Sequence, residues 1–351
     1  MENNTCKKKS TCRIQYIDAM RGFTIFLVVM THVSTFGLGF SGSDTFTYND
    51  IFGTFRMPLF FFISGFVLYK ADSDWNFNNT FNFIKKKISV QLIGPLLFLV
   101  ASAVTRKINF MDALFDFEKA GYWFTFTLFE FYLLYIFSQQ IVRLFKANNY
   151  MDDMIIVAIA CFFYIAKDYI STYNLDKGVG GLLGIPTLYR YLFFVLGTRV
   201  KKYFVQFENM LDATYATAIL LVTFIFFNLF PGVAVISNSL YSIVVSVCGL
   251  FLVFAFFRRY QSVFTSSKIG IIMQFLGRRT LDIYLIHYFF IFSNLTALLP
   301  NMSKLNSPFI EFLLSIIISV AIVMCCLLVS FIIRLSPILG HILFGVKLQS
   351  K

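Results

Sequence analysis

Residues 16–36, YIDAMRGFTIFLVVMTHVSTF, form an apolar run with three residues foreign to it: Asp18, Arg21 and His32. As a helix the run can cross a bilayer, because about 20 residues at ~1.5 Å each span a hydrocarbon core of ~30 Å. Charges in such a segment cost roughly 2.5–3.5 kcal/mol each even on the lenient insertion scale, so a guanidinium and an imidazole eleven residues apart call for a purpose.

The rest of the chain has the same character. Its 351 residues are 58% hydrophobic and 14% charged, with 47 Phe and a mean hydropathy of +0.73. A soluble domain carries about 25% charged residues. Apolar runs near span length recur from end to end, which makes the chain an all-α, polytopic integral membrane protein. A backbone in hydrocarbon must satisfy its own hydrogen bonds, and helices do so within one segment. Cys6-Lys7-Lys8-Lys9 ahead of the first run resembles the start of a signal peptide. The run exceeds an ordinary signal core and no clean small-residue cleavage site follows, so it reads as a retained first span. The six cysteines form no CxxC pair; Cys6 and Cys12 fall in the basic tail, and Cys161, Cys248, Cys325 and Cys326 in apolar runs. They read as free thiols rather than a disulfide framework or a zinc site.

Ten spans are expected, at 16–40, 51–69, 88–105, 121–142, 153–171, 182–199, 211–230, 236–257, 278–299 and 309–333, between a basic tail (1–15) and a C-terminal tail (336–351). With both termini cytoplasmic, the inner segments hold 21 Lys and Arg and the outer segments six (Arg106, Lys107, Lys119, Lys167, Lys177 and Lys304). That bias follows the positive-inside rule and accounts for the net charge of +12 without nucleic acid as a partner. Of 30 Lys and Arg, only Arg21, Arg56 and Arg190 remain inside spans.

Counting rise per residue brings four ionisable groups to one depth. His32 lies roughly 16 Å beyond Arg21, and Glu130, Arg190 and His287 reach a similar level from their own ends. Each could be a satisfied polar residue that packs helices together. As a group, they suit general-base chemistry, in which a neutral imidazole accepts a hydroxyl proton and a carboxylate orients it. No HxxxH or HxxE spacing occurs, and Arg190 at the same level would repel a cation, so no metal is expected. At the inner face Arg21, Arg278 and Arg279, with Arg258 and Arg259 nearby, could grip phosphates or could be ordinary positive-inside anchors.

The spacing Arg21-x10-His32, led by Asp18 as D-x-x-R-G, resembles the Arg-x10-His motif of the membrane acyltransferase-3 family. Further segments are similar to that family in order: FRMPLFFFISGFVLY (55–69), YWFTFTLFEFYLLY (122–135), RYLFFVLGTRVKK (190–202) and LGRRTLDIYLIHYFF (276–290). Two departures stand out. Arg56-Met57-Pro58-Leu59 replaces the Gly-Val-Asp of many members, a variant that resembles the branch modifying surface polysaccharides and their lipid-linked precursors. Glu130 sits one residue out of register with the family's span-four carboxylates.

The resemblance implies a ten-span acyltransferase of the cell (inner) membrane, moving groups other than amino-acyl groups. The donor would be a cytoplasmic acyl-coenzyme A, acetyl or succinyl, and the acceptor a hydroxyl of a glycan or lipid-linked saccharide; no bound cofactor is implied, and membrane lipids surround the fold. Carried over by position, Arg21 and His32 form the essential pair, Arg56 and Ser64 belong to the second-span motif, and His287 to the ninth-span one. On this reading His32 is the base, with a transient acyl-His as a variant, and Arg21 holds the donor near Asp18. Arg56 or Arg190 stabilises the oxyanion, and Glu130 or His287 orients His32. Buried charges on several helices serve a transporter or flippase for a polar or lipid-linked solute equally well. A non-catalytic partner of a glycan synthase is a third alternative.

Overall fold

A computed structural model of the chain describes residues 13–39, 47–71, 73–145, 149–230, 238–291 and 307–347. Cys6, Cys12, Lys7, Lys8 and Lys9, together with Lys146, Lys304, Lys351 and the end of the ninth expected span, lie outside the described residues. The described residues are predominantly helical, with no strand among them. The helices are α1 (Gln15–His32), α2 (Tyr48–Leu68), α3 (Phe77–Ile88), α4 (Gly94–Arg106), α5 (Phe110–Phe115), α6 (Trp123–Leu144), α7 (Asn149–Ser171), α8 (Gly178–Leu182) and α9 (Tyr191–Lys202). They continue with α10 (Phe204–Asp212), α11 (Thr214–Leu229), α12 (Asn238–Arg259), α13 (Gln261–Ser266), α14 (Lys268–Arg278), α15 (Thr280–Ile286), α16 (Pro308–Arg334) and α17 (Pro337–Phe344).

Among the described residues, seven helices are long and apolar enough to cross a membrane, and eight if α10 and α11, bent by 80°, form one span. The chain is a multi-pass membrane protein. Of the ten expected spans, the fourth corresponds to the 22-residue α6, whose Tyr, Thr and Gln side chains dilute its hydropathy. The ninth is not one straight helix. The backbone breaks at Arg279 (φ −107°, ψ 15°) between α14 and α15, and tightens into a 3₁₀ turn at His287–Phe289. Two other irregularities are π turns, Val33–Gly37 directly after α1 and Ser89–Ile93 joining α3 to α4 into one long helix. The thiols of Cys161, Cys248, Cys325 and Cys326 are free.

Helices in lipid gain little from burying apolar surface against each other, so close packing decides which of them pair. Two crossings show how. A Cβ on Gly22 would lie 2.0 Å from the Met273 carbonyl oxygen, and one on Gly277 would lie 1.8 Å from the Asp18 carbonyl oxygen. The backbones of α1 and α14 therefore touch through facing glycines. The pair α2 and α9 repeats the device: a Cβ on Gly65 would lie 1.9 Å from the Phe194 carbonyl oxygen and one on Gly197 would lie 2.0 Å from the Phe62 carbonyl oxygen. All four glycines belong to the segments quoted above for the family resemblance. Around the crossings, Phe61, Phe62, Phe66, Phe131, Phe194 and Phe254 are buried and pack edge to face or tilted, which fills the centre of the bundle.

Candidate active site

Eleven residues at about 3.6 per turn make roughly three full turns, so Arg21 and His32 lie on one face of α1. Ile25 and Val28 complete that face, and all four line a single cavity. The cavity encloses about 850 Å³ of empty space, its open mouth included. Helix α2 contributes Arg56, Met57, Phe60 and Ser64; α6 contributes Trp123, Phe124, Thr125 and Leu128; α15 and the turn after it contribute Thr280, Leu281, Tyr284 and Tyr288. Gln91 enters from the π turn at Ser89–Ile93, and Gly121 closes the wall beside His32. Both π turns thus flank the cavity, the first following His32 and the second carrying Gln91.

His32 is held on three sides. Its ring stacks on Phe36 (centroids 5.4 Å apart, 10° between planes) and lies 5.4 Å from the ring of His287. Its Nε2 is 3.0 Å from the Tyr288 hydroxyl. Tyr288 and Tyr284 both donate to the Gly121 carbonyl oxygen, at 3.2 and 2.9 Å, and the Phe124 N–H donates to the Tyr284 hydroxyl at 3.1 Å. Gly121 adopts φ +103°, and a Cβ there would stand 2.3 Å from the Tyr288 ring, so glycine is required for both the turn and the space. His287 is fully buried behind this wall; its Nδ1–H donates to the Ile283 carbonyl at 3.0 Å, which leaves Nε2 as its acceptor nitrogen.

The arginines divide into two kinds. Arg21 and Arg56 line the cavity, and neither they nor Arg190 form an ion pair among the described residues. Arg56 donates to the Thr31 hydroxyl, one residue from His32. Arg190 does not line the cavity; its guanidinium sits 4.9 Å from the ring of Trp123, a wall residue, and 4.5 Å from that of Tyr189. Asp18 forms no ion pair with Arg21; its carboxylate accepts from Arg13 at 3.0 Å. That contact raises the pKa of Arg13, which lies ahead of the first span.

The structure does not bring Arg278 and Arg279 to the cavity. Arg278 is exposed, while Arg279 donates to Asp282 (3.3 Å) and Ser330 (3.4 Å). Asp282, 1% exposed, is also held by Arg334 through hydrogen bonds of 2.8 and 2.9 Å. Arg258 is likewise occupied, by Glu208 and Asp212. Glu130 is not brought to His32 either. It does not line the cavity, and its carboxylate faces Gly184, where a Cβ would come within 2.5 Å of Oε2. Ser64 does line the cavity, with its hydroxyl donating back to the Phe60 carbonyl at 2.8 Å.

Several cavity groups went unread in the sequence. Tyr288 adjoins His287 within a segment already singled out, but a Tyr beside a His in an apolar run carries no signal of its own. Gln91 reaches the cavity only through a π turn, which no periodicity announces. No group of His, Cys, Asp and Glu that could hold a metal ion occurs among the described residues.

Residues 14–329 match the acyltransferase domain that defines the acyltransferase-3 family. The chain belongs to that family. Its cavity is therefore the candidate active site of a membrane acyltransferase, with Arg21 and His32 on the face of α1 that lines it. No curated protein and no solved structure matched the chain.

Proposed function

We propose that this acyltransferase-3 member is an O-acetyltransferase, moving acetyl (or succinyl) from cytoplasmic acyl-coenzyme A to a hydroxyl of a cell-surface polysaccharide or its lipid-linked precursor. One observation carries the reading: Arg21 and His32 line the same cavity, on one face of α1. Their separation of ~16 Å along the helix suits a pantetheine arm with anionic phosphates at one end and a thioester at the other. Arg21, with no ion pair among the described residues, takes the phosphate end.

In the reaction His32 removes the acceptor hydroxyl proton as the oxygen attacks the thioester carbon. Charge builds on the thioester oxygen, and Arg56, on the same wall and without an ion pair of its own among the described residues, stabilises it. Collapse of the tetrahedral intermediate forms the ester and expels the coenzyme A thiolate, which takes the proton from His32. Met57, Phe60, Phe124 and Leu128 line the chamber with apolar surface and keep water from the thioester. Arg190, behind Trp123, adds positive potential from the second layer.

Ten spans with both termini in the cytoplasm, one transmembrane acyltransferase domain over 16–335 and a place in the cell membrane complete the reading. The lysine and arginine bias supports them, and α6 and the broken α14–α15 segment supply material beyond the seven long apolar helices.

The test is label transfer from acetyl-coenzyme A in membranes carrying wild type, His32→Ala or Arg21→Ala. Transfer to a glycan or lipid-linked acceptor by wild type, abolished in His32→Ala and with a raised KM in Arg21→Ala, is the expected result. Equal transfer by wild type and His32→Ala would remove the mechanism. Absence of transfer from acetyl and succinyl donors alike would return the transporter reading.

A further inference from the structure

Beyond the cavity wall a chain of side chains runs from Arg56 to a carboxylate that no motif marks. Glu311, in the first turn of α16, is 1% exposed, and Ser34, in the π turn after His32, is fully buried. Ser34 donates to Glu311 Oε1. Asn49 Nδ2 donates to Ser34 Oγ at 2.7 Å and also approaches Glu311 Oε1 at 3.5 Å. Thr31 Oγ1 donates to Asn49 Oδ1 at 2.9 Å, a shorter contact than its alternative, the Leu27 carbonyl at 3.1 Å. Arg56 Nη1 donates to Thr31 Oγ1.

The donors all point one way. A guanidinium can only donate and a carboxylate acceptor can end such a chain without competing for a proton. Thr31, Asn49 and Ser34 each have one acceptor oxygen turned toward Arg56 and one donor turned toward Glu311. Reversing any one of them would set two donors or two acceptors against each other. Chains aligned in this way polarise one another in a low dielectric.

We infer that Glu311 is a positioning residue for the active site: through Ser34, Asn49 and Thr31 it fixes the direction of Arg56 at the cavity wall, beside His32. Two of the relays, Thr31 and Ser34, flank His32 in sequence, so the same chain holds the end of α1 and its π turn. The inference rests on the acyl-transfer reading for its effect on turnover, but the hydrogen-bond chain can be tested without it.

Glu311→Leu removes the terminal acceptor, and Asn49→Leu cuts the chain midway should the first variant fail to fold. Each is expected to lower kcat for acetyl transfer about tenfold with the KM for acetyl-coenzyme A within about twofold, as for coupled networks of this kind. Glu311→Gln, whose amide oxygen can still accept from Ser34, should stay within about threefold of wild type. In a Thr31→Val background, where Arg56 is already disconnected, Glu311→Leu should cause no further loss. Wild-type turnover in both Leu variants, or a second full tenfold loss in the Thr31→Val background, would overturn the inference. If wild type transfers no acyl group from any donor, the proposed function falls and thermal unfolding of the purified protein decides the chain. Subadditive shifts for Thr31→Val and Glu311→Leu would uphold it, and additive shifts would refute it.

Discussion

The Tyr288 hydroxyl stands 3.0 Å from Nε2 of His32 and 3.2 Å from the Gly121 carbonyl oxygen. A phenol has one proton and a carbonyl can only accept. Both contacts are satisfied together only when Tyr288 donates to Gly121 and His32 donates from Nε2, which leaves the His32 lone pair on Nδ1. Tyr288 would then select the base tautomer without touching the reacting atoms.

Removing that hydroxyl tests the assignment. A hydrogen bond of this type contributes about 1 kcal/mol, so Tyr288→Phe should lower kcat for acetyl transfer roughly fivefold with little change in KM. Phe keeps the ring packing against His32 and His287, so the amount of folded protein in the membrane should not change. A raised KM with unchanged kcat would move Tyr288 from positioning His32 to binding substrate.

The facing glycines predict a stability effect remote from the chemistry. Gly22→Ala drives a methyl group into the Met273 carbonyl, a backbone atom that cannot step aside without moving α14. Overpacking of this kind costs about 1–3 kcal/mol, read as a lower unfolding temperature in detergent. Gly53→Ala is the control: nothing lies within 4 Å of a Cβ there, and the helix should gain slightly from the better helix former. Equal behaviour of the two variants would mean that α1 and α14 do not pack through Gly22.

Asp282 separates structural arginines from ligand-binding ones. Its buried carboxylate accepts from both Arg279 and Arg334, so Asp282→Asn leaves two cations under-compensated and should destabilise the fold by about 3 kcal/mol. The KM for acetyl-coenzyme A in the surviving protein should stay within about twofold, because Arg279 is held at the α15–α16 contact rather than at the cavity. A large rise in KM would return Arg279 to the donor site.

Much of the architecture is legible without coordinates because lipid enforces it. Hydrocarbon forbids unpaired backbone, so the apolar runs must be helices, and the lysines and arginines between them carry the orientation signal. The same cost singles out Arg21 and Arg56, which line the cavity with His32, whereas Arg190, the third in-span arginine, sits against Trp123 outside it. Irregularity escapes such counting. The break at Arg279, the π turns at Val33–Gly37 and Ser89–Ile93 and the bend between α10 and α11 depend on packing, which no period of 3.6 records.

By itself the sequence determined the class of fold, the family and the common helical face of Arg21 and His32, because membrane insertion is a property of composition and an eleven-residue spacing is a property of one helix. Depth along a helix says nothing of azimuth. Counting rise per residue puts Glu130 level with His32, yet its carboxylate faces Gly184, whereas Glu311, at the first turn of α16, reaches Ser34 near His32. Which arginines are free and which are tied to Asp18, Asp282 or Glu208 is likewise a matter of partners brought from distant segments. Only the tertiary structure decides it, because ion pairs and hydrogen bonds form across a few ångströms of space, at separations in sequence that range here from three residues to 277.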